Sequence, residues 1–375
     1  MGKSALRRIS IFGVAGFNRG DDAICQSLIA GFRCERPALA FVVPVLRHGA
    51  LADVPGVTAF LLDRRSLTGM ARLVAHVWRC DAVVLGGGSL IQDQLGGSRV
   101  RGILGYAWMV SGLARLLRKP LVTAPIGVDV LTSAPGRQAA REILSRIDRL
   151  TVRDALSGQV AAGLVRDAVE VHVACDPVFD FPFPSQGGVE KNIYVLAPAF
   201  EGKNEDRIVA IFAEAARLLL ARDGSSRVVV VAMDERVEED GGKIGRIVAA
   251  LPPALRERVQ LVTPASAAEA AAVLRASAGV VAMRLHAMIL AYGHAPLHCI
   301  SRTTKTEALM QSFAIPGCSL HGASSAETIA AQALVGLADA DAFEAQKAQA
   351  EGLRGVLASY YRDTVDYLEA AIARS

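Results

Sequence analysis

Residues 80–93, CDAVVLGGGSLIQD, read as a short apolar strand that runs directly into Gly86, Gly87, Gly88 and Ser89. Three glycines at a strand exit have a physical meaning. Without Cβ atoms the backbone reaches positive φ, and its N–H groups can turn toward one point and form a nest for a carboxylate or phosphate. A tight strand-to-helix turn required only by packing explains a glycine triplet equally well. The loop alone leaves both readings open, and the rest of the chain has to decide.

Outward from this stretch the same alternation repeats. ISIFGVAG (9–16), ALAFVVPV (38–45), VTAFLL (57–62), PLVTAPIG (120–127) and RLTVRD (149–154) read as further strands. Helix-period segments lie between them at 21–33, 66–78, 102–118 and 136–147, the pattern of βα units on a parallel sheet. The stretch FPFPSQGGVEK (181–191) gathers proline, glycine and serine and reads as a boundary. Beyond it NIYVLAP, RVVVVAM, RVQLVTP, GVVAM and PLHCI form a second strand series, with helices near 205–222, 240–250, 266–277, 285–293 and 325–337. The expected organisation is an α/β domain over 1–182, a second over 183–340, and a helical tail over 341–375, the two domains facing each other across a cleft.

Composition narrows the classes. The chain has 375 residues, enough for two domains, and its 52% hydrophobic and 21% charged residues with 34 glycines fit an α/β protein with a large core. No apolar run is long enough to span a membrane, and ISIFGVAGF is too short for a secretory signal, so a cytoplasmic protein is expected. The six cysteines form no CxxC pair and read as small buried hydrophobes in a reducing compartment. The net charge of +4 comes from scattered Lys and Arg with no nucleic-acid motif, which favours a small anionic substrate or a lipid surface over nucleic acid.

Gly13, Gly16 and Gly20 superficially form a dinucleotide fingerprint, but Asp21 and Asp22 would repel a pyrophosphate. Asn18 can cross-link this loop through its amide, and Asp21 or Asp22 can cap a helix or accept hydrogen bonds from sugar hydroxyls. After GVVAM, residues Arg284, Leu285 and His286 open the next helix. Arg and His at a strand's carboxyl end stand where open α/β sheets bind ligands, and Lys305 follows at the end of the next strand. Arg153 also ends a strand, and Arg99 follows the glycine loop. His294 and His298 are separated by Pro296 and lack a carboxylate at ligand spacing, and Asp339 and Asp341 read as caps of the tail helix, so no metal site is expected.

GVAGFNRGDDAI (13–24), LGGGSLIQD (85–93), GSRV (97–100), PIGV (125–128), TVRD (151–154), ACDPVF (174–179) and MRLHAMILA (283–291) occur in an order that resembles the polysaccharide pyruvyl transferase family. Lys305, in ISRTTK, stands where that family has a lysine after its RLH motif. The resemblance runs from residue 9 to about 310. It departs in a first loop one residue shorter and in LAPAF (196–200), which lacks an arginine. It implies two Rossmann-like domains resembling the GT-B glycosyltransferases, with a C-terminal helix crossing back. It also implies transfer of pyruvate from phosphoenolpyruvate onto a sugar of a polysaccharide or lipid-linked glycan as a cyclic ketal, a step of exopolysaccharide or cell-envelope synthesis.

Phosphoenolpyruvate carries a carboxylate and a phosphate, so several Arg or Lys donors and backbone N–H groups suit it. On this resemblance His286 is the expected general acid, or a donor to the leaving phosphate. Arg284, Leu285, Lys305, Arg153 and Arg99, with Gly86, Gly87, Gly88 and Ser89, are expected to bind substrate. Asn18 with Asp21 or Asp22 would orient acceptor hydroxyls, an Asp serving as base. No cofactor is needed beyond the donor. A nucleotide-sugar glycosyltransferase and a non-catalytic glycan- or anion-binding protein are the rival readings. RGILGYAWMVSGLARLLRK (101–119), apolar with basic ends, is a candidate for peripheral membrane contact, with a buried core helix as its alternative. The sequence carries no signal for oligomeric state.

Overall fold

The computed structural model describes all residues except 1–5, 14, 48, 52–53, 64–65, 94–96, 166–168, 184–189, 201–203, 237–238 and 375, together with all side chains outside these but for Lys191, Thr304 and Lys305. The chain divides into two compact units. The first comprises residues 1–16, 21–182 and 353–375, the second residues 17–20 and 183–352.

In the first unit the strands are β1 (Arg8–Phe12), β2 (Ala40–Val45), β3 (Val57–Leu61), β4 (Ala82–Leu85), β5 (Leu121–Thr123), β6 (Leu150–Val152) and β7 (Val171–Val173). The helices are α1 (Arg19–Glu35), α2 (Leu67–Trp78), α3 (Gly102–Leu116), α4 (Ala134–Leu144) and α5 (Ala155–Ala162). Five strands form a parallel sheet in the order β3-β2-β1-β4-β5, and β6 pairs with β7 in parallel. Single bridges from Val122 to Arg149 and from Ile126 to Val152 continue the sheet toward β6. Val83, Leu85, Leu104, Ala107, Val110 and Ile126 belong to one core cluster, which explains why the β4 sequence is apolar throughout: it is covered on both faces.

The second unit repeats the plan with β8 (Glu190–Ala197), β9 (Arg227–Val231), β10 (Val259–Val262), β11 (Ser277–Ala282), β12 (Leu297–Ser301) and β13 (Gly317–Ser319), in the parallel order β10-β9-β8-β11-β12-β13. Its helices are α6 (Glu205–Ala221), α7 (Asp240–Lys243), α8 (Gly245–Ala249), α9 (Pro253–Arg256), α10 (Ala267–Arg275), α11 (Leu285–Ala291), α12 (Thr304–Ser312) and α13 (Ala326–Leu337). Ile208, Phe212, Leu219, Val228, Val230 and Val281 anchor its core.

The last helix, α14 (Ala340–Ala373), begins with Asp339 accepting the Ala342 N–H at 2.9 Å, the capping role its sequence position suggests. Its residues through Gly352 belong to the second unit and those from Leu353 to the first. There Tyr361 packs edge-on against Phe32 of α1, with ring centroids 5.2 Å apart, and lies where a Cβ on Gly31 would sit.

Three expectations need correction. Helix α1 starts at Arg19, two residues earlier than its sequence pattern indicates. Strands β7 and β13, of three residues each, were not read from the sequence because edge strands this short carry no resolvable periodicity. Cys34 is exposed and Cys318 half-buried, so not all six thiols are core residues. No helix among the described residues is long and apolar enough to cross a membrane.

Candidate functional site

In both sheets strand order reverses on either side of a central pair, β1 and β4 in the first unit and β8 and β11 in the second. Ligands of open parallel sheets bind at the carboxyl ends of such a pair, because the connections leave to opposite faces and open a crevice. The glycine loop leaves β4, and Arg284–His286 leave β11. Each candidate group thus stands at the switch point of its own sheet.

In the first unit, Gly86, Gly87 and Gly88 have φ of 144°, 95° and 75°, a region that side-chain-bearing residues rarely occupy. A Cβ on Gly86 would lie 2.6 Å from Ile126 Cγ2, and one on Gly87 would collide with Ile24. Packing and backbone angle therefore both demand glycine. The space bordered by Gly13, Asp21, Ile24, Cys25, Gly86 and Gly87 amounts to about 10 Å3, barely the room a water needs. The tight-turn reading thus explains the triplet as the loop stands.

The end of the loop has more polar company. Arg153 Nη2 donates to Ser89 Oγ at 3.0 Å, and Arg153 Nη1 pairs with the buried Asp176 at 3.2 Å. The Gly127 N–H donates to the Gly88 carbonyl at 2.9 Å, and a Cβ on Gly127 would stand 2.8 Å from Ser89 Oγ and 3.0 Å from Arg153 Nη2. Four separate stretches, GGGS, PIGV, TVRD and ACDP, therefore meet in one buried polar cluster. Asp93 ends the loop segment by accepting N–H and Oγ–H of Ser133, both at 2.7 Å, at the start of α4. Burial pushes its carboxyl up, but the hydrogen bonds from Ser133 and Thr132 outweigh this and hold it below the usual range.

Two predicted residues behave differently from expectation. Arg99 lies at the surface and donates from Nε and Nη2, one edge of its guanidinium, to the two carboxylate oxygens of Glu142 of α4, while Trp108 Nε1 donates to the same carboxylate at 2.7 Å. That closed surface triad, rather than the Ser89–Arg153 cluster, holds Arg99. Asp22 is buried and its Oδ1 accepts the Gly16 N–H at 2.8 Å, so it pins the first loop instead of facing an acceptor sugar. Asp21 is half-buried and borders the glycine loop, with Oδ1 3.6 Å from where a Gly88 Cβ would sit.

In the second unit the residues Phe17–Gly20 join the exit of β9. Asn18 bridges to Asp234 in antiparallel fashion, and the Arg19 N–H donates to the Met233 carbonyl at 2.9 Å. Arg19 is buried; its Nε donates to the Pro264 carbonyl at 2.6 Å and its Nη2 pairs with Glu235. Asn18 Oδ1 accepts the Gly20 N–H at 2.8 Å. A Cβ on Gly20 would fall on the ring of His286, so the imidazole rests directly on this backbone. The FNRG and RLH stretches, more than 260 residues apart, are thus brought into contact.

Arg284 occupies the position before α11, with Nε and Nη2 each donating to Asp240 at 2.8 Å, while Asp240 Oδ1 also accepts the Phe200 N–H at 3.1 Å. Both partners are buried, and Glu239 stands 3.9 Å away. Arg284 is therefore a clamped, charge-balanced cation rather than an open anion receptor. Burial pushes the Asp234 carboxyl up, but the Arg236 side chain and N–H, with the charges of Arg236 and Arg284, hold it below the usual range. Leu285 is half-buried at the first turn of α11, and Lys305 is the second residue of α12, after the exit of β12.

Asp176, Gly127, Asp234, Glu235 and Asp240 were missed as site residues. The acidic run DERVEED (234–240) directly after the apolar β9 was the available signal for three of them. Among the described residues no three His, Cys, Asp or Glu side chains gather as metal ligands.

The polysaccharide pyruvyl transferase family matches the chain over residues 18–295. No curated protein matches it in sequence. Among solved structures, a glycosyltransferase of Rickettsia africae superposes with a TM-score of 0.61 at 12% identity, covering 99% of this chain and 100% of that one. S. aureus MnaA in its co-structure with UDP gives 0.61 at 11%, covering 92% and 91%. The UDP-GlcNAc 2-epimerase of Neisseria meningitidis, bound to UDP-GlcNAc, gives 0.58 at 11%, covering 91% and 94%. At these identities the likeness establishes the fold, two Rossmann-like units of the GT-B glycosyltransferase and epimerase type.

Proposed function

The chain belongs to the polysaccharide pyruvyl transferase family, whose members are transferases acting on polysaccharides, and from this premise we propose that it moves pyruvate from phosphoenolpyruvate onto two hydroxyls of one sugar. In the proposed reaction the enol methylene carbon gains a proton and becomes a methyl group while one hydroxyl adds to the adjacent carbon. The second hydroxyl then displaces phosphate from that carbon, closing the ketal, and its proton leaves with the phosphate. Two C–O bonds form and one breaks, with no change that calls for a redox partner, and no cofactor beyond the donor is invoked.

His286 is the group proposed to deliver the proton, since imidazole can hold and release one near neutral pH. The observation that carries this role is the seating of its ring on the backbone at Gly20, which fixes its orientation beside the Asn18 loop. Arg284, clamped by Asp240, acts as a positioning residue for the strand exit from which His286 projects. Lys305 is proposed as a cation for the donor's carboxylate or phosphate, and Asp21 as the base for a sugar hydroxyl. The acceptor class is a polysaccharide precursor or lipid-linked glycan.

The test is phosphate release from phosphoenolpyruvate in the presence of a panel of free and lipid-linked glycans, with product masses read alongside. A mass gain of pyruvate minus water, lost in a folded His286→Ala variant, is the expected result. Stabilisation against heat by UDP-sugars but not by phosphoenolpyruvate would replace this reading with a nucleotide-sugar transferase, a reading that UDP-bound structures of the same fold make the natural rival.

A further inference from the structure

Helix α2 carries two apolar faces. Leu73 and Val77 are buried against the first unit's core, as an amphipathic helix requires. Leu67, Ala71, Val74 and Trp78, at spacings of four, three and four, form a second stripe on the solvent side, where Leu67 is 91% and Trp78 65% exposed. Neighbouring α3 buries most of the apolar stretch at 101–119, including Leu104, Ala107, Val110 and Ala114, but leaves Leu116 78% exposed at its end. Both helices run back from the carboxyl edge of a parallel sheet to its amino edge. Trp78 and Leu116 therefore emerge at the amino edge, opposite the strand exits that hold the glycine loop.

Cations flank the end of this stripe. Arg72 lies on α2, Arg79 is the residue that ends it and Arg8 opens β1; burial, followed by the charges of Arg79, Arg72 and Arg8, pushes the His76 imidazole below its usual range. Arg8 and Lys119 likewise both act on Cys80, just beyond that turn. Two carboxylates at this edge are held by local partners. Asp81 accepts the N–H groups of Arg7 and Arg8, each at 2.8 Å, and Asp148 accepts the Leu121 N–H at 2.8 Å and pairs with Arg115 at 3.7 Å.

We infer that the outer face of α2 and the adjoining amino edge of the first sheet dock on an anionic lipid bilayer. An exposed indole and leucines suit the boundary between headgroups and acyl chains, and the flanking arginines and lysine complement negatively charged headgroups. A second copy of the chain is a poorer occupant. A two-fold interface through this face would set one basic rim against an identical one.

The Trp108→Phe variant of the 375-residue chain leaves Trp78 as its only tryptophan, since the chain has two. Its emission is expected to shift to the blue on vesicles of phosphatidylcholine mixed with phosphatidylglycerol and to stay unchanged on phosphatidylcholine alone. Sedimentation with the anionic vesicles should fall about ten-fold or more in Arg72→Glu/Arg79→Glu and in Leu67→Ser/Trp78→Ser, with melting temperatures preserved, and should weaken with salt. Absence of sedimentation with anionic vesicles, or binding unaltered in both double variants, would overturn the inference. So would a concentration-dependent dimer that Trp78→Ser dissolves, with no vesicle binding.

Discussion

At the scale of single residues, glycine positions do much of the work that charge was expected to do. Gly20 is the sharpest case. It is the second residue of α1, a position that asks for no glycine on backbone grounds, yet any Cβ there collides with the His286 ring. Gly20→Ala is therefore expected to cut phosphate release at least as severely as a removed hydrogen-bond donor would, by about a hundred-fold, with the fold retained. The readout is turnover beside a thermal melt. Wild-type turnover in a folded Gly20→Ala would mean that the ring's seat on this backbone is irrelevant to chemistry. The placement of His286 just after a strand was legible in the sequence, because the apolar run GVVAM ends directly before it. Its partner was not, since nothing in FNRG announces which distant side chain will rest on it.

At the scale of elements, β12 and α13 approach so closely that Gly336 faces the ring of His298 with no room for a Cβ. His298 is buried on β12, its Nε2 3.7 Å from Cys318 Sγ on β13, and burial pushes its imidazole down from 6.5 to about 4. The sign of the consequence follows. Between pH 6.5 and about 4 the unfolded chain binds a proton that the folded chain refuses, so stability falls as pH falls through that window, by at most about 1.4 kcal/mol per pH unit. Denaturant titrations across this range should show the slope in the wild type and a shallower one in His298→Gln. Equal slopes would assign the loss to other groups. The elements themselves were largely readable. Strands such as β4 and β9 are apolar runs bounded by turn residues, whereas β7 and β13 are too short to show a period and are defined by their pairing with β6 and β12.

At the scale of the molecule, the six cysteines are all free, but their surroundings differ. Burial pushes the Cys25 and Cys80 thiols up to about 12, whereas Cys34 is exposed near the end of α1. A thiol reagent should therefore modify one cysteine rapidly in the native protein and all six after denaturation, the fast one vanishing in Cys34→Ser. Several rapid thiols would mean that the buried cysteines open readily to solvent.

Hydrophobic period, glycine punctuation and ordered motifs are local properties of the chain, so the βα alternation, the parallel sheets and the family were readable along it. Tertiary structure alone decided the charge balance of the candidate residues. Arg284 and Arg153 looked like open cations when read along the chain, and became clamped ones when folding brought Asp240 and Asp176 against them. It also decided that Arg99 belongs to a surface triad with Glu142 and Trp108. Burial is the reason for the two clamped arginines, Arg284 and Arg153. A charge buried on folding needs a counter-charge in contact with it, and which distant carboxylate supplies it depends on which strand ends meet in space.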